Sequence, residues 1–144
     1  MLREKLRDIV SGQNLFHVTP NTTVGETVKA MQKRHVGSAL VLKDGKPCGI
    51  FTGSNFVEQV LDLGRDPMKT LVREVMTRDP VCLDCDRNGF EAVQLMEQNG
   101  IRHVVVRGAG ETGYSILSVT DLPSCDTAEF ENELEFERRL WEEL

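Results

Sequence analysis

Two stretches of the chain share one order of polar and apolar positions. Thr23 and Glu26 precede apolar residues at helical spacing, and Asn88 and Glu91 do the same 65 residues later. A short polar residue followed three positions on by Glu is typical of a capping box at a helix start. Each predicted helix leads to a β-branched strand, at 39–41 and again 65 residues on. A register kept across a helix and a strand indicates an internal duplication.

Each copy continues in the same way. A polar turn with an Asp-Gly or Gly-rich sequence joins two strands, as in a β-hairpin, and a short strand precedes each capped helix. Because a copy of this size is marginal alone, we expect the two copies to pack about a pseudo-twofold axis. The segments are the turns 43–46 and 108–110, the strands 48–51 and 114–117, the short strands 16–18 and 81–83, and a second helix at 56–61.

The predicted fold class is α/β, with two βαββα repeats flanked by helices. Apolar residues at helical spacing predict an N-terminal amphipathic helix that carries Leu2, Leu6, Ile9 and Val10. A second flanking helix is predicted after a capping box at Asp126. The predicted organisation is an N-terminal helix at 1–13, repeats at 14–70 and 71–125, and an acidic C-terminal helix at 126–144.

Charge argues against a nucleic-acid partner. The 144-residue chain has a formal net charge of −6, and its 28% charged residues are ordinary for a globular protein. The excess of acidic groups lies after residue 125, so no cluster of Lys and Arg attracts phosphates. No run approaches the ~20 apolar residues of a membrane span, and the N-terminus does not resemble a secretory signal. We therefore expect a cytoplasmic protein with no membrane partner.

The four cysteines, Cys48, Cys82, Cys85 and Cys125, are expected to be reduced thiols. Cys82 and Cys85 have CxxC spacing, so a zinc or redox function is a weaker alternative. The three histidines do not stand at metal-ligand spacing with Cys or carboxylates, and no metal site is predicted.

Both copies place a hydroxyl residue at the end of the second hairpin strand, three residues before an amide or a carboxylate. The pairs are Thr52 with Asn55 and Ser118 with Asp121. Such a strand-to-helix turn can offer N–H groups and a hydroxyl to a phosphate, while a carboxylate accepts hydrogen bonds from ribose hydroxyls. Asn55 and Asp121 are equally suited to cap the helix that follows. Both interpretations are open at this point.

Residues 14 to 122 resemble a tandem pair of cystathionine-β-synthase (CBS) domains. The similarity is carried by the segment 71–81 (LVREVMTRDPV) and by the motifs GIFT at 49–52 and LSVTD at 117–121. The resemblance implies a regulatory module that binds AMP, ADP, ATP, S-adenosylmethionine or a similar adenosine ligand in clefts between the repeats. It also implies a homodimer. The adenine nucleotide is expected as a regulatory ligand, with no required cofactor.

The resemblance further implies contacts in one cleft. Ser118 would lie near phosphate, Asp121 on the ribose and Ile116 on the base, and Arg102 would contact phosphate. The partner repeat would complete this cleft with Thr19, Ser38 and Ala39, whose backbone groups would read the adenine edge. Ser115 stands where the family has Gly, and could crowd close backbone approach.

A weaker second cleft would use Ile50, Thr52 and Asn55 with Asp84, His103 and Val104. Asn55 replaces the usual Asp, and an amide is a poorer acceptor than a carboxylate. Gly37 stands where the other copy has Arg102, and Asp84 would repel phosphate. We therefore expect one occupied site, at Ser118 and Asp121.

The sequence does not favour an enzyme, because neither an activated nucleophile nor a pair of differently tuned carboxylates stands out. The competing hypothesis is a ligand-free interaction or dimerisation module whose terminal helices recruit a partner. In either case an effector protein, which the sequence does not identify, must receive the output.

Overall fold

The computed structural model describes residues 2–122, whose contacts divide them into two units. The first unit comprises residues 16–80, and the second comprises residues 2–15 together with 81–122. In chain order the elements are α1 (Leu6–Ile9), β1 (His17–Val18), α2 (Val24–Arg34), β2 (Ser38–Lys43), β3 (Lys46–Thr52), α3 (Gly53–Phe56), a π-helical turn (Val57–Leu61), α4 (Val72–Val75), β4 (Thr77–Arg78), β5 (Cys82–Asp84), α5 (Gly89–Asn99), β6 (His103–Arg107), β7 (Tyr114–Ser118) and a 3-10 turn (Val119–Asp121).

The first unit is a four-stranded sheet covered by helices. Its strand order is β1-β2-β3-β4, with β1 parallel to β2 and the other neighbours antiparallel. The buried residues of α2 include Val24, Val28 and Met31, which recur at helical spacing and so line one face. This face packs into a core with Val41 and the fully buried Phe51.

The second unit repeats this plan with three described strands. Its order is β5-β6-β7, with β5 parallel to β6 and β6 antiparallel to β7. Registers also repeat, since His17 lies opposite Leu40 and Cys82 lies opposite Val105, 65 residues on in both strands. The predicted α/β class with paired repeats is therefore confirmed.

Local sequence explains the element boundaries. The Thr23 hydroxyl accepts the Glu26 N–H at 3.2 Å, and Asn88 Oδ1 accepts the Glu91 N–H at 3.1 Å, so both predicted helix caps form. The turn between β2 and β3 has positive φ at Asp44 and Gly45, as the Asp-Gly sequence predicts. The predicted helix at 56–61 instead spans α3 and the π-helical turn.

The two long helices end in the same left-handed conformation on different residues. α2 ends at His35, with φ 57°, and α5 ends 65 residues later at Gly100, with φ 61°. A side chain in this region is strained, whereas glycine adopts it freely.

His35→Gly should therefore stabilise the protein by about 1 kcal/mol, because the left-handed conformation costs a residue with a Cβ about that much. Denaturant unfolding monitored by circular dichroism measures the change. The reciprocal variant, Gly100→His, should lose a similar amount. A His35→Gly variant less stable than the parent would contradict the strain argument.

Each unit contains the segment that precedes the other repeat. The Leu6 N–H donates to the Arg87 carbonyl at 2.8 Å, so α1 joins the second repeat. In the same way, the Val72 N–H donates to the Thr22 carbonyl at 2.8 Å, which joins α4 to the first repeat. The structure thus groups residues 71–80 with the first repeat and residues 2–15 with the second, a division that differs from the predicted segments.

The predicted helix at 1–13 is helical at α1 only. The predicted acidic helix at 126–144 and Cys125 lie outside the described residues. Within residues 2–122, no helix has the length and apolar character that a bilayer span requires.

Candidate ligand-binding site

The end of β7 turns sharply at Ser118. The Ser118 N–H donates to Asp121 Oδ2 at 2.8 Å, and the Ser118 hydroxyl accepts from both the N–H and the hydroxyl of Thr120, at 3.3 and 3.0 Å. The Val119 N–H donates to the Arg102 carbonyl at 2.9 Å, which ties this turn to the start of β6. We call residues 118–121 the Ser118 corner. It holds two hydroxyls and one carboxylate within a four-residue turn.

Asp121 therefore caps the turn, as one of the two interpretations of the sequence predicted. This does not exhaust its carboxylate, because two oxygens offer about four acceptor positions and the Ser118 N–H occupies one of them. The side chain is exposed. Desolvation nonetheless raises the pKa of Asp121 above its ordinary value, and the Ser118 N–H opposes this rise. The capping and ligand-binding interpretations are thus compatible at this residue.

His103 lies directly opposite Ser118 in the β6–β7 ladder. Burial lowers the pKa of His103 to about 4, and the neighbouring Arg102 cation lowers it further. The imidazole is therefore neutral at pH 7. It places a polar, uncharged ring beside the corner.

The buried neutral state of His103 predicts a pH-dependent stability. The pKa falls from 6.5 to about 4 on folding, so the unfolded chain binds a proton first as the pH drops. Stability should consequently decrease between about pH 6.5 and 4, by at most about 3 kcal/mol from this group. Denaturant unfolding at several pH values measures the loss. His103→Gln should flatten the slope, while His17→Gln, at an exposed histidine, should leave it unchanged; equal slopes in all three proteins would contradict the prediction.

The corresponding corner of the first unit is occupied by its own contacts. Asn55 Oδ1 accepts both the N–H and the hydroxyl of Thr52, at 2.9 and 3.2 Å. Asn55 Nδ2 donates to the Thr77 hydroxyl at 3.2 Å. Both ends of the amide are thus engaged, and β4 is tied to the corner.

The remaining predicted residues are placed as follows. Of the first unit, the exposed Thr19 lies 3.0 Å by hydroxyl from Thr22, Ser38 begins β2 opposite Thr52, Ala39 is fully buried, and Ile50 is buried in β3. Of the second, Asp84 ends β5 and pairs with Arg107 Nε at 3.3 Å, while Val104 and Ile116 are buried in β6 and β7. Each unit is described by itself, so the sharing of clefts between the two sets stays a prediction.

Ser115 does not point toward the corner. Its side chain is 2% exposed, and its hydroxyl donates to the Ala109 carbonyl at 3.1 Å within the β6–β7 hairpin. The predicted crowding of a ligand by this residue is therefore wrong, since the hairpin turn occupies the hydroxyl.

One contact near the corner was not foreseen. Gln13 bonds through its side-chain amide to the backbone of Ile116, two residues before Ser118. The 65-residue repeat offset places Gln13 opposite Arg78 of β4, and this alignment was the clue that sequence reasoning could have used.

The cysteines offer little support for thiol chemistry. Burial raises the pKa of the Cys82 and Cys48 thiols, which disfavours the reactive thiolate. Among residues 2–122, no three His, Cys, Asp or Glu side chains are placed to hold a metal ion together. The zinc or redox alternative stays an untested hypothesis.

Comparison with known proteins decides the family. Residues 6–62 and 72–122 each match the family model of the CBS domain. The chain belongs to the CBS domain family. The two matches coincide with the duplication found in the strand registers, so this protein is a CBS pair.

Relatives of this CBS pair differ in length and context. The CBS domain-containing protein CBSCBSPB2 of Arabidopsis thaliana is 33% identical over 110 residues, which are 75% of this chain and 20% of the relative. The chain spans between 20% and 59% of the length of the first three curated relatives that it matches.

Solved structures share the CBS-pair fold. ATU1752 from Agrobacterium tumefaciens is 25% identical with a TM-score of 0.71, over 81% of this chain and 94% of that chain. PAE2072 from Pyrobaculum aerophilum, complexed with AMP, is 18% identical with a TM-score of 0.71, over 92% of this chain and 99% of its own. At this identity the second likeness shows the fold alone.

Proposed function

We propose that this CBS pair is a regulatory module that binds an adenosine-containing ligand at the Ser118 corner and passes the binding to a partner protein. The observation that carries the proposal is the exposed Asp121 carboxylate, held at the end of β7 by the Ser118 N–H. The AMP complex of a relative with the same fold supports the choice of ligand class.

The corner has the chemistry that a nucleoside phosphate needs. The oxygens of Asp121 would accept hydrogen bonds from the ribose hydroxyls, which a carboxylate does better than a neutral group. The hydroxyls of Ser118 and Thr120 would contact the phosphate together with Arg102, whose backbone carbonyl is bonded to this turn. Ile116 supplies an apolar surface for the base.

The first unit would contribute the remaining contacts through Thr19, Ser38 and Ala39. Its own corner is a poorer site, because both ends of the Asn55 amide are already bonded. We therefore propose one principal ligand per chain. Thr52, Ile50 and Asn55, with Asp84, His103 and Val104, would form the weaker second site.

Calorimetric titration with AMP, ADP, ATP, S-adenosylmethionine and NAD tests the proposal directly. Binding of one of these at about one ligand per chain is the expected result, with a rise in melting temperature through mass action. A comparison of AMP with adenosine would show the phosphate contribution, which should weaken with added salt. A folded chain that binds none of the five would contradict the proposal.

Transmission would follow from differential affinity. A ligand shifts a conformational equilibrium only as far as it binds one state more tightly. We propose that the ligand changes the arrangement of a homodimer, and that an effector protein recognises this change. Sedimentation of the protein with and without the bound nucleotide would test the dimer and its response.

A ligand-free interaction module is the second candidate. It is favoured by three exposed apolar side chains of the first unit, Leu61, Leu63 and Met68, which are 51%, 58% and 52% exposed. Apolar groups that lie close together in sequence and face solvent are typical of contact surfaces. Failure of every nucleotide to bind the folded protein would favour this function.

A further inference from the structure

A single side chain holds the outer edge of β7. Gln13 Nε2 donates to the Ile116 carbonyl at 2.6 Å, and the Ile116 N–H donates to Gln13 Oε1 at 2.9 Å. A primary amide carries both a donor and an acceptor, so it supplies the pair of bonds that a residue of an adjacent strand would supply. We call this pair of bonds the Gln13 clasp.

The same position in the first unit is held by backbone. Ile50, the counterpart of Ile116, lies opposite Thr77 of β4, and Gly49 lies opposite Arg78. In the part of the second unit that the structure describes, the sheet ends at β7. Gln13 takes the place of the fourth strand there.

A steric difference explains why a side chain replaces a strand. A Cβ at Gly49 would collide with Met76 Sδ and lie 3.0 Å from the Thr77 carbonyl oxygen, so β4 approaches this closely because residue 49 has no side chain. Ser115 stands at the corresponding position of β7 and does have one. A backbone segment cannot come as near to it, and the longer Gln13 side chain spans the difference.

The clasp lies next to the proposed ligand site. On its inner side β7 is fixed by β6, since Val105 lies opposite Ile116 and His103 lies opposite Ser118. On its outer side the clasp fixes the backbone two residues before Ser118. The orientation of the Ser118 corner therefore depends on restraints from both sides of β7.

We infer that Gln13 is a positioning residue for the ligand site, and that through it the N-terminal segment controls ligand affinity. This inference rests on the proposed function. Coupling of this kind is reciprocal: if the clasp strengthens ligand binding, bound ligand strengthens the clasp by the same factor. The Ile116 amide reports on the clasp because its proton lies in one of the two bonds.

The test combines nucleotide titration with hydrogen exchange of the Ile116 amide. Gln13→Leu removes both bonds at similar size, and Gln13→Glu keeps the acceptor for the Ile116 N–H but loses the donor. Gln98→Leu, at an exposed glutamine of α5, is the matched control. With AMP and ATP, Gln13→Leu should bind about five- to tenfold more weakly, the range expected for one or two hydrogen bonds. Gln13→Glu should be intermediate, and Gln98→Leu should match the wild type.

The exchange data separate the possible outcomes. Nucleotide should slow Ile116 exchange in the wild type, and Gln13→Leu should speed it. Faster exchange with unchanged affinity, in either Gln13 variant, would show a purely structural clasp and overturn the inference while leaving the proposed function intact. A wild-type chain that binds none of the nucleotides overturns the proposed function, and this inference with it.

Discussion

Asp121→Asn should weaken adenine-nucleotide binding about 10- to 100-fold, because hydrogen bonds to a charged group contribute about 1.5–3 kcal/mol. The variant should fold normally. Asn55 already caps the corresponding turn of the first unit with an amide oxygen, 2.9 Å from the Thr52 nitrogen. An asparagine at 121 can accept the Ser118 N–H in the same way, so the change removes the carboxylate and keeps the cap.

Two controls isolate the role of the carboxylate. Glu97→Gln removes an exposed negative charge from α5 of the same unit and should leave affinity unchanged, which excludes an effect of net charge alone. Asn55→Ala should also leave the principal affinity and stoichiometry unchanged if one site dominates. Calorimetric titration with AMP or ATP measures all of these variants. Wild-type affinity in Asp121→Asn would show that the carboxylate is a helix cap only.

Acidification gives an independent check on the same carboxylate. Desolvation raises the pKa of Asp121, so its proton is taken up at a higher pH than for an ordinary aspartate. Because ribose recognition requires the ionised form as an acceptor, affinity should decline as the pH falls toward that raised pKa. The ligand phosphate also titrates, but it does so equally with both proteins. The difference between wild type and Asp121→Asn should therefore shrink at low pH.

Features encoded locally were accessible from the sequence. The helix caps at Thr23 and Asn88 depend on residues three positions apart, and the turn at Asp44 depends on two adjacent residues. Duplication made each of these visible twice, which fixed the strand registers at one offset. The family followed from the same repeated motifs.

Features that depend on distant contacts were not accessible. The Gln13 clasp joins residues 103 positions apart, and an exposed glutamine near a terminus has no local property that predicts a partner. The exchange of the leading segments was hidden for a similar reason, because hydrophobic spacing shows that α1 has an apolar face without showing which repeat covers it. Likewise, the amide of Asn55 could be recognised as a cap, but its bond to Thr77 depends on where β4 lies.

The exchanged segments should determine where destabilising changes act. Leu6 is fully buried in α1, and its backbone bonds to Arg87, so it belongs to the core of the second unit. Leu6→Ala should cost about 2–5 kcal/mol through lost burial and the cavity left behind. The amides of α5, β6 and β7 should lose protection from hydrogen exchange, although residue 6 precedes the first repeat in sequence.

Val72 provides the matched change in the other direction. It is fully buried in α4, which bonds to Thr22 of the first unit, so Val72→Ala should loosen α2 and β2 although residue 72 precedes the second repeat. The expected cost is smaller, about 2 kcal/mol, because fewer buried methyl groups are removed. Hydrogen exchange followed by mass spectrometry would locate both effects. If Leu6→Ala instead loosened residues 16–80, α1 would belong to the first unit, and neither the exchange of segments nor the Gln13 clasp could stand, since both place the N-terminal residues against the second repeat.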